Sequence, residues 1–179
     1  EAIETLRGEG PPDLTDLCIE LGANMLLISG IVNSVSEGRK RLQEAISSGA
    51  ALEKFKEFVE AQSGNPKVAD DTSLLPQCKK LVEVKSASAG YVQKIDALSV
   101  GIASQLLGAG RQKKDDIIDL SVGIYLKKKV GDKVEVDEPL AIFHTDGDEE
   151  KITQAKEKFL SAYTIGDKKV KLPKLFFAR

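Results

Sequence analysis

The sequence predicts an α+β chain in two parts, a helical N-terminal segment and a strand-rich, mostly antiparallel C-terminal subdomain. Three observations predict it. Apolar residues recur at three- and four-residue intervals as far as about Gln62, the spacing of one helix face. From Lys80 onward several short stretches, "KLVEVKS" and "GYVQKID" among them, alternate apolar with polar, as half-buried strands do. Between the two, "DDTSLLPQCKK" has no period. A boundary is therefore placed near Pro76 to Lys79, dividing the chain into 1–78 and 79–179.

The helices follow in order. Glu1 to Leu6 reads as helix, with Ala2, Ile3 and Leu6 on one side. Pro11-Pro12-Asp13 breaks it and starts another, with Asp13 as its cap and Asp16 near the positive dipole end. Leu14, Leu17, Cys18, Leu21, Met25 and Ile28 then recur at helical spacing, and Gly30 ends the run. Cys18, inside it, reads as a small buried hydrophobe. A helix over Val35 to Ser47 is announced by Ser34 and Glu37 at capping-box spacing, with Gly49 after it. Another runs from about Ala51 to Gln62 with Leu52, Phe55 and Val59 inward and Gly64 as its stop. Pro66 starts a short turn.

In the second part the two alternating stretches are strands. "ALSVGIASQLLG" returns to helical spacing through Leu98, Ile102 and Leu106, with Asp96 as cap. "IDLSVGIYLKK" is a strand, and "KVGDKVEVDEPLAIFHTD" a turn, a short strand, a second turn and another strand. A helix follows with Ile152, Ala155, Phe159 and Tyr163 on one face, and "KKVKLPKLFFAR" holds a last short strand or extended segment. Most of the connections between strands read as antiparallel hairpins.

Composition narrows the function. Charged residues make up 30% and hydrophobic residues 41% of 179 residues, as in ordinary globular domains. A net charge of −2 argues against a general nucleic-acid or membrane-surface binder, which needs a basic excess. No apolar run approaches the roughly 20 residues of a membrane helix. Cys18 and Cys78 share no metal-ligand spacing. Together these features lead to an expectation of a cytoplasmic protein. The only methionine is Met25, and the helical pattern begins at Glu1 with no cap before it. A piece of a longer chain is expected.

Four features were weighed for chemistry. His144, the one histidine, ends a predicted strand; a general base needs a partner in reach, and none stands beside it in sequence, so it reads as a strand-end residue. Asp146 to Glu150, "DGDEE", lacks the spaced ligands of a calcium loop and is explained by acidic residues facing a helix N-terminus. The "VGDKVEVDEPLAIF" pattern resembles half of a biotinyl or lipoyl carrier domain. It offers Lys133 but no attachment lysine in its usual flanks, so it predicts barrel-sandwich-like hairpins and not a carrier function; a carrier-like or other binding module is the alternative reading. "LLGAGRQKKDD", Leu106 to Asp116, has the glycines of a phosphate loop, but a phosphate loop follows a strand and opens a helix. Here the glycines follow a helix. Gly108 and Gly110 therefore read as C-terminal glycines, one of them left-handed, with Arg111 near Asp115 or Asp116. No catalytic or substrate-binding residue is assigned.

Three stretches, taken in order, resemble the C-terminal part of pyrimidine-nucleoside phosphorylases, a family that includes thymidine phosphorylase. They are "EAIETLRGEGPPDLTDLCIELG", "SGAALEKFKEFVEAQSG" and "LLGAGRQKKDDIIDLSVGIYLKKKVGDKVEVDEPL". The resemblance implies that residues 1–78 are the closing helical segment of a large α/β domain and 79–179 the C-terminal subdomain. It implies a pentosyltransferase, reversibly exchanging pyrimidine base for phosphate to give (deoxy)ribose 1-phosphate. It further implies that the phosphate and base ligands lie upstream, so that this chain alone is inactive and needs the missing N-terminal part. The parent is implied to be a homodimer without nucleic-acid or membrane partners. A potassium ion is implied for the parent, with Glu1 matching its acidic ligand. No cofactor is expected in these residues themselves.

Overall fold

The structure, a computed structural model, describes residues 1–111, 113–172 and 174–177. It divides into two compact units, Glu1–Leu74 with the tail from Lys174, and Leu75–Pro173.

The first unit is helical: α1 (Ala2–Leu6), α2 (Pro12–Ile28), α3 (Val35–Ser47) and α4 (Ala50–Ala61), then two 3₁₀ turns at Pro66–Ala69 and Thr72–Leu74. The helix starts follow local chemistry. Ser34 Oγ accepts the Glu37 N–H at 3.2 Å while Glu37 reaches back to the Asn33 N–H at 3.1 Å, a capping box displaced by one residue. Its two donors and its pairing with Arg41 hold the Glu37 carboxyl below its usual range, with the Asn33 N–H the largest cause. Asp13 is not the cap of α2: Pro11 holds that position with extended backbone, and Asp13, inside the first turn, accepts from the Leu14 N–H. α2 and α3 approach closely because two residues are small. A Cβ on Gly38 would stand 2.9 Å from Ala23 Cα. A partly buried fork of two bonds, Arg39 Nε and Nη2 to the Glu20 carboxylate at 2.7 and 2.8 Å, ties the pair. Arg7 donates to the Ala69 and Asp70 carbonyls at 2.6 and 2.8 Å, pinning the first 3₁₀ turn. Cys18, read from sequence as buried, is exposed, because it lines an open apolar groove with Leu14, Leu42, Ile46 and Phe55 and not a packed core.

The second unit holds β1 (Lys80–Lys85), β2 (Gly90–Ile95), α5 (Ala97–Ser104), β3 (Gly123–Leu126), β4 (Lys133–Val134), β5 (Pro139–Thr145), α6 (Glu149–Ser161) and β6 (Tyr163–Gly166). Its strands form two three-stranded antiparallel sheets, ordered β1-β5-β3 and β4-β2-β6. The α+β class and antiparallel pairing agree with the sequence. The expected hairpins do not: each pair joins strands distant in the chain, such as Val82 with Phe143 and Tyr91 with Gly166. Two further expectations are corrected. α6 stops at Ser161, so Tyr163 lies on β6 and not on the helix face. Among the described residues the last strand is β6; of the strand or extended segment expected in the basic tail, the strand is absent there.

Inside the second unit Val84, Val92, Ala103, Leu107, Leu140, Phe143, Ile152 and Phe159 are buried in one cluster. Phe143 and Phe159 meet edge to face, ring centroids 5.4 Å apart. α6 contributes Ile152, Ala155 and Phe159, a single apolar stripe at helical spacing.

Candidate functional site

The stretch with the strongest functional pattern in the sequence is the corner from Gln105 to Asp119. α5 begins at Asp96, whose carboxylate accepts the Ser99 N–H at 3.1 Å; the bonds from Ser99 hold its pKa below the ordinary value. The helix ends by widening into a π turn over Gln105–Ala109, and Gly108 turns it with φ +114°. Gly110 is extended, at φ −154°. The left-handed glycine is therefore Gly108. Gln105 Nε2 donates to the Arg111 carbonyl, closing the corner. The chain then returns: the Asp119 N–H bonds to the Gly108 carbonyl at 3.1 Å, and the Asp116 carboxylate accepts the Lys113 N–H at 2.8 Å. Ser121 donates through N–H and Oγ to Asp119 at 2.9 and 2.6 Å and lowers the pKa of that carboxyl. The corner follows the end of a helix, where carbonyl oxygens and partial negative charge gather. Its described residues turn the chain and close it by the bonds above.

The acidic run beyond β5 is structural too. Asp146 accepts the Lys79 N–H at 2.6 Å, and Asp148 caps α6 by accepting from the Lys151 N–H at 2.9 Å. Glu149 and Glu150 fill the first turn, where the helix dipole favours negative charge. His144 lies one residue from the end of β5, opposite Leu81 on one side and Gly123 on the other.

Lys133 sits in β4, not at a hairpin tip. Its ammonium pairs with Glu135 at 2.7 Å, which raises its pKa. The neighbouring turn is held by Lys128, whose Nζ meets Glu138 Oε1 at 2.5 Å and the Lys133 carbonyl at 2.9 Å. Tyr163 completes this latch: its O–H donates to the Lys128 carbonyl at 2.9 Å. Burial first, then the negative Asp132, push its pKa up to about 12. Sequence periodicity placed Tyr163 on a helix and so missed it. The available signal was chemical, since a buried tyrosine hydroxyl usually finds a partner.

Glu1 stands at the start of α1 with a side chain 67% exposed. Its carbonyl accepts from Thr5 N–H and Oγ. A hard cation draws on several oxygens. Among the described residues no group of three His, Cys, Asp or Glu gathers as a metal site, so Glu1 by itself does not fit one. Among the described residues no helix is long and apolar enough to cross a membrane.

Comparison with known proteins agrees with the resemblance. Residues 91–166 match the family described as "Pyrimidine nucleoside phosphorylase C-terminal domain". Over 167 residues, 93% of this chain, the sequence is 45% identical to the pyrimidine-nucleoside phosphorylases of Staphylococcus aureus strains USA300 and NCTC 8325 / PS 47. The match covers 38% of those relatives, so the chain spans well under half their length.

Proposed function

We propose that the chain is the C-terminal part of an enzyme of pyrimidine-nucleoside phosphorolysis; the match of residues 91–166 to the pyrimidine nucleoside phosphorylase C-terminal domain family supports the reading. In the reaction phosphate attacks the anomeric carbon, the bond to the base breaks, and free base leaves as (deoxy)ribose 1-phosphate forms. The demands are close positioning of phosphate and stabilisation of charge on the departing base. In our reading the groups that meet those demands lie outside these 179 residues. The parent is a cytoplasmic homodimer, and what is present here is its scaffold.

The observation that carries the reading is continuity. The 45% identity extends over 93% of the chain, beyond the matched domain and into the helical unit. The structural roles of Gly108, Asp119, Asp146 and Asp148 fit a scaffold, since each is spent on a turn or a cap. The carrier alternative gains nothing from Lys133, which is paired within its own strand region.

The experiment is direct. Pure chain incubated with uridine or thymidine and inorganic phosphate should release no base above the blank. Turnover by the chain alone would overturn the scaffold assignment.

A further inference from the structure

We propose that Asp146-Gly147 is a latent site of covalent self-modification, an isomerisation of the aspartyl bond that the fold restrains through Thr145 and Lys79. It is the one Asp-Gly pair in the sequence, which has no Asn-Gly pair. In such a pair the glycine amide nitrogen attacks the protonated side-chain carboxyl of the aspartate. A C–N bond forms at Cγ, the amide proton and the carboxyl hydroxyl leave as water, and a succinimide ring results. Water then opens the ring at either carbonyl. One opening restores aspartate; the other leaves isoaspartate, with the main chain running through Cβ and Cγ. No oxidant, reductant or cofactor takes part. Glycine favours the attack because no Cβ shields its nitrogen or limits its dihedrals. Asp146 is exposed, so solvent reaches the ring.

Each residue of the pair has a structural reason to be there. The Asp146 carboxylate accepts the Lys79 N–H at 2.6 Å, a charge-assisted bond that ties the chain before β1 to the chain after β5. The Gly147 carbonyl accepts from Lys80 Nζ at 3.1 Å. A Cβ on Gly147 would stand 3.1 Å from Thr145 Oγ1, so the passage into α6 is tight enough to favour glycine. The same contacts restrain the chemistry. Ring closure needs the nitrogen freed of its proton and brought to about 3–3.5 Å from the carboxyl carbon. The Gly147 N–H is instead donated to Thr145 Oγ1 at 3.0 Å, and Thr145 is fully buried. The carboxylate is held by Lys79. Both bonds must break before the ring can close, so the rate follows the fraction of molecules in which this corner is open. Isoaspartate then lengthens the main chain by one carbon and moves the carboxylate. The bond to Lys79 is not remade, and β1 loses its tie to the entry of α6.

The test incubates the full chain in warm, mildly acidic buffer, once folded and once in guanidinium chloride. Isoaspartate is located by peptide mapping with electron-transfer fragmentation. The expected result is isoaspartate at position 146 in guanidinium chloride, formed about tenfold more slowly, or slower still, in the folded chain. Thr145→Val, which removes the acceptor of the Gly147 N–H, should speed the reaction in the folded chain and leave the unfolded rate unchanged. Asp146→Asn keeps an oxygen for the Lys79 N–H and closes the same ring with loss of ammonia, read as deamidation by mass. It should show the same slowing on folding, and it decides the matter if Thr145→Val does not fold. No isoaspartate at 146 in the unfolded chain would overturn the site. Equal rates in folded and unfolded chains, for the parent or for Asp146→Asn, would overturn the restraint. So would a Thr145→Val chain, folded by circular dichroism, that reacts no faster than the parent.

Discussion

The two units bury different things. In the second, Phe143, Phe159, Leu140, Val84, Val92 and Val134 are all less than 2% exposed. In the first, the buried hydrophobic residues are Ile3, Ala23, Val32 and Ala69, none larger than isoleucine. The first unit is held instead by close helix approach at Gly38, by the Arg39–Glu20 fork and by Arg7 on the first 3₁₀ turn. A helix or sheet must bury its apolar face against another layer. The second unit does this within itself, two sheets and two helices around one cluster. The first leaves large side chains on α2 and α4 facing out, Phe58 at 60% exposed among them. Polar ties can fix the geometry of helices, but they do not replace a core.

The largest expected effect tests that contrast. Phe159→Ala removes a ring packed on Phe143 and Tyr163 and should cost about 3–5 kcal/mol in urea unfolding. Met25→Ala, at an exposed position of α2, should stay within about 0.5 kcal/mol in the same chain. Equal losses would break the comparison by showing that the first unit has a core after all.

A smaller effect separates the two glycines of the corner. Gly108, at φ +114°, cannot accept a Cβ without strain, and Gly108→Ala should destabilise the chain by about 1 kcal/mol or more. Gly110 is extended, and its added Cβ would be crowded by the Gln105 side chain, with Cγ at 3.2 Å, while the nearest backbone atom, Gln105 Cα, stands at an ordinary 3.6 Å. Gly110→Ala should cost less than Gly108→Ala by thermal unfolding; the reverse order would show that the corner closes differently.

The smallest is a pH effect confined to the second unit. The Ser99 bonds lower the pKa of Asp96 in the folded state. Its stabilisation is therefore present in full above the unfolded value, about pH 4, and lost as pH falls through the lowered folded value. Asp96→Asn should flatten the acid limb of stability below about pH 4, read by circular dichroism during acid titration. An unchanged acid limb would remove Asp96 as a contributor.

Much of the helical structure in both units was legible because its signals are local. Ser34 with Glu37, Pro12 at a helix start and Asp96 before α5 act within four residues of themselves. The corner was legible for the same reason, since a glycine after a helix has a meaning independent of what surrounds it. Cys18 was misread because periodicity tells which residues share a face, not whether that face is covered. Tyr163 was misread because an apolar stripe can run past the helix end into the next strand.

The sequence by itself determined the α+β class, the helix starts, the glycine turn and the family resemblance, all carried by residues close together in the chain. Only the tertiary structure decided that β1 pairs with β5 and β2 with β6, and that α2 packs Ala23 against Gly38 while Met25 and Ile28 stay exposed. Strand pairing between distant segments depends on which faces meet. That is set by the packing of the whole unit, and no window of sequence contains it.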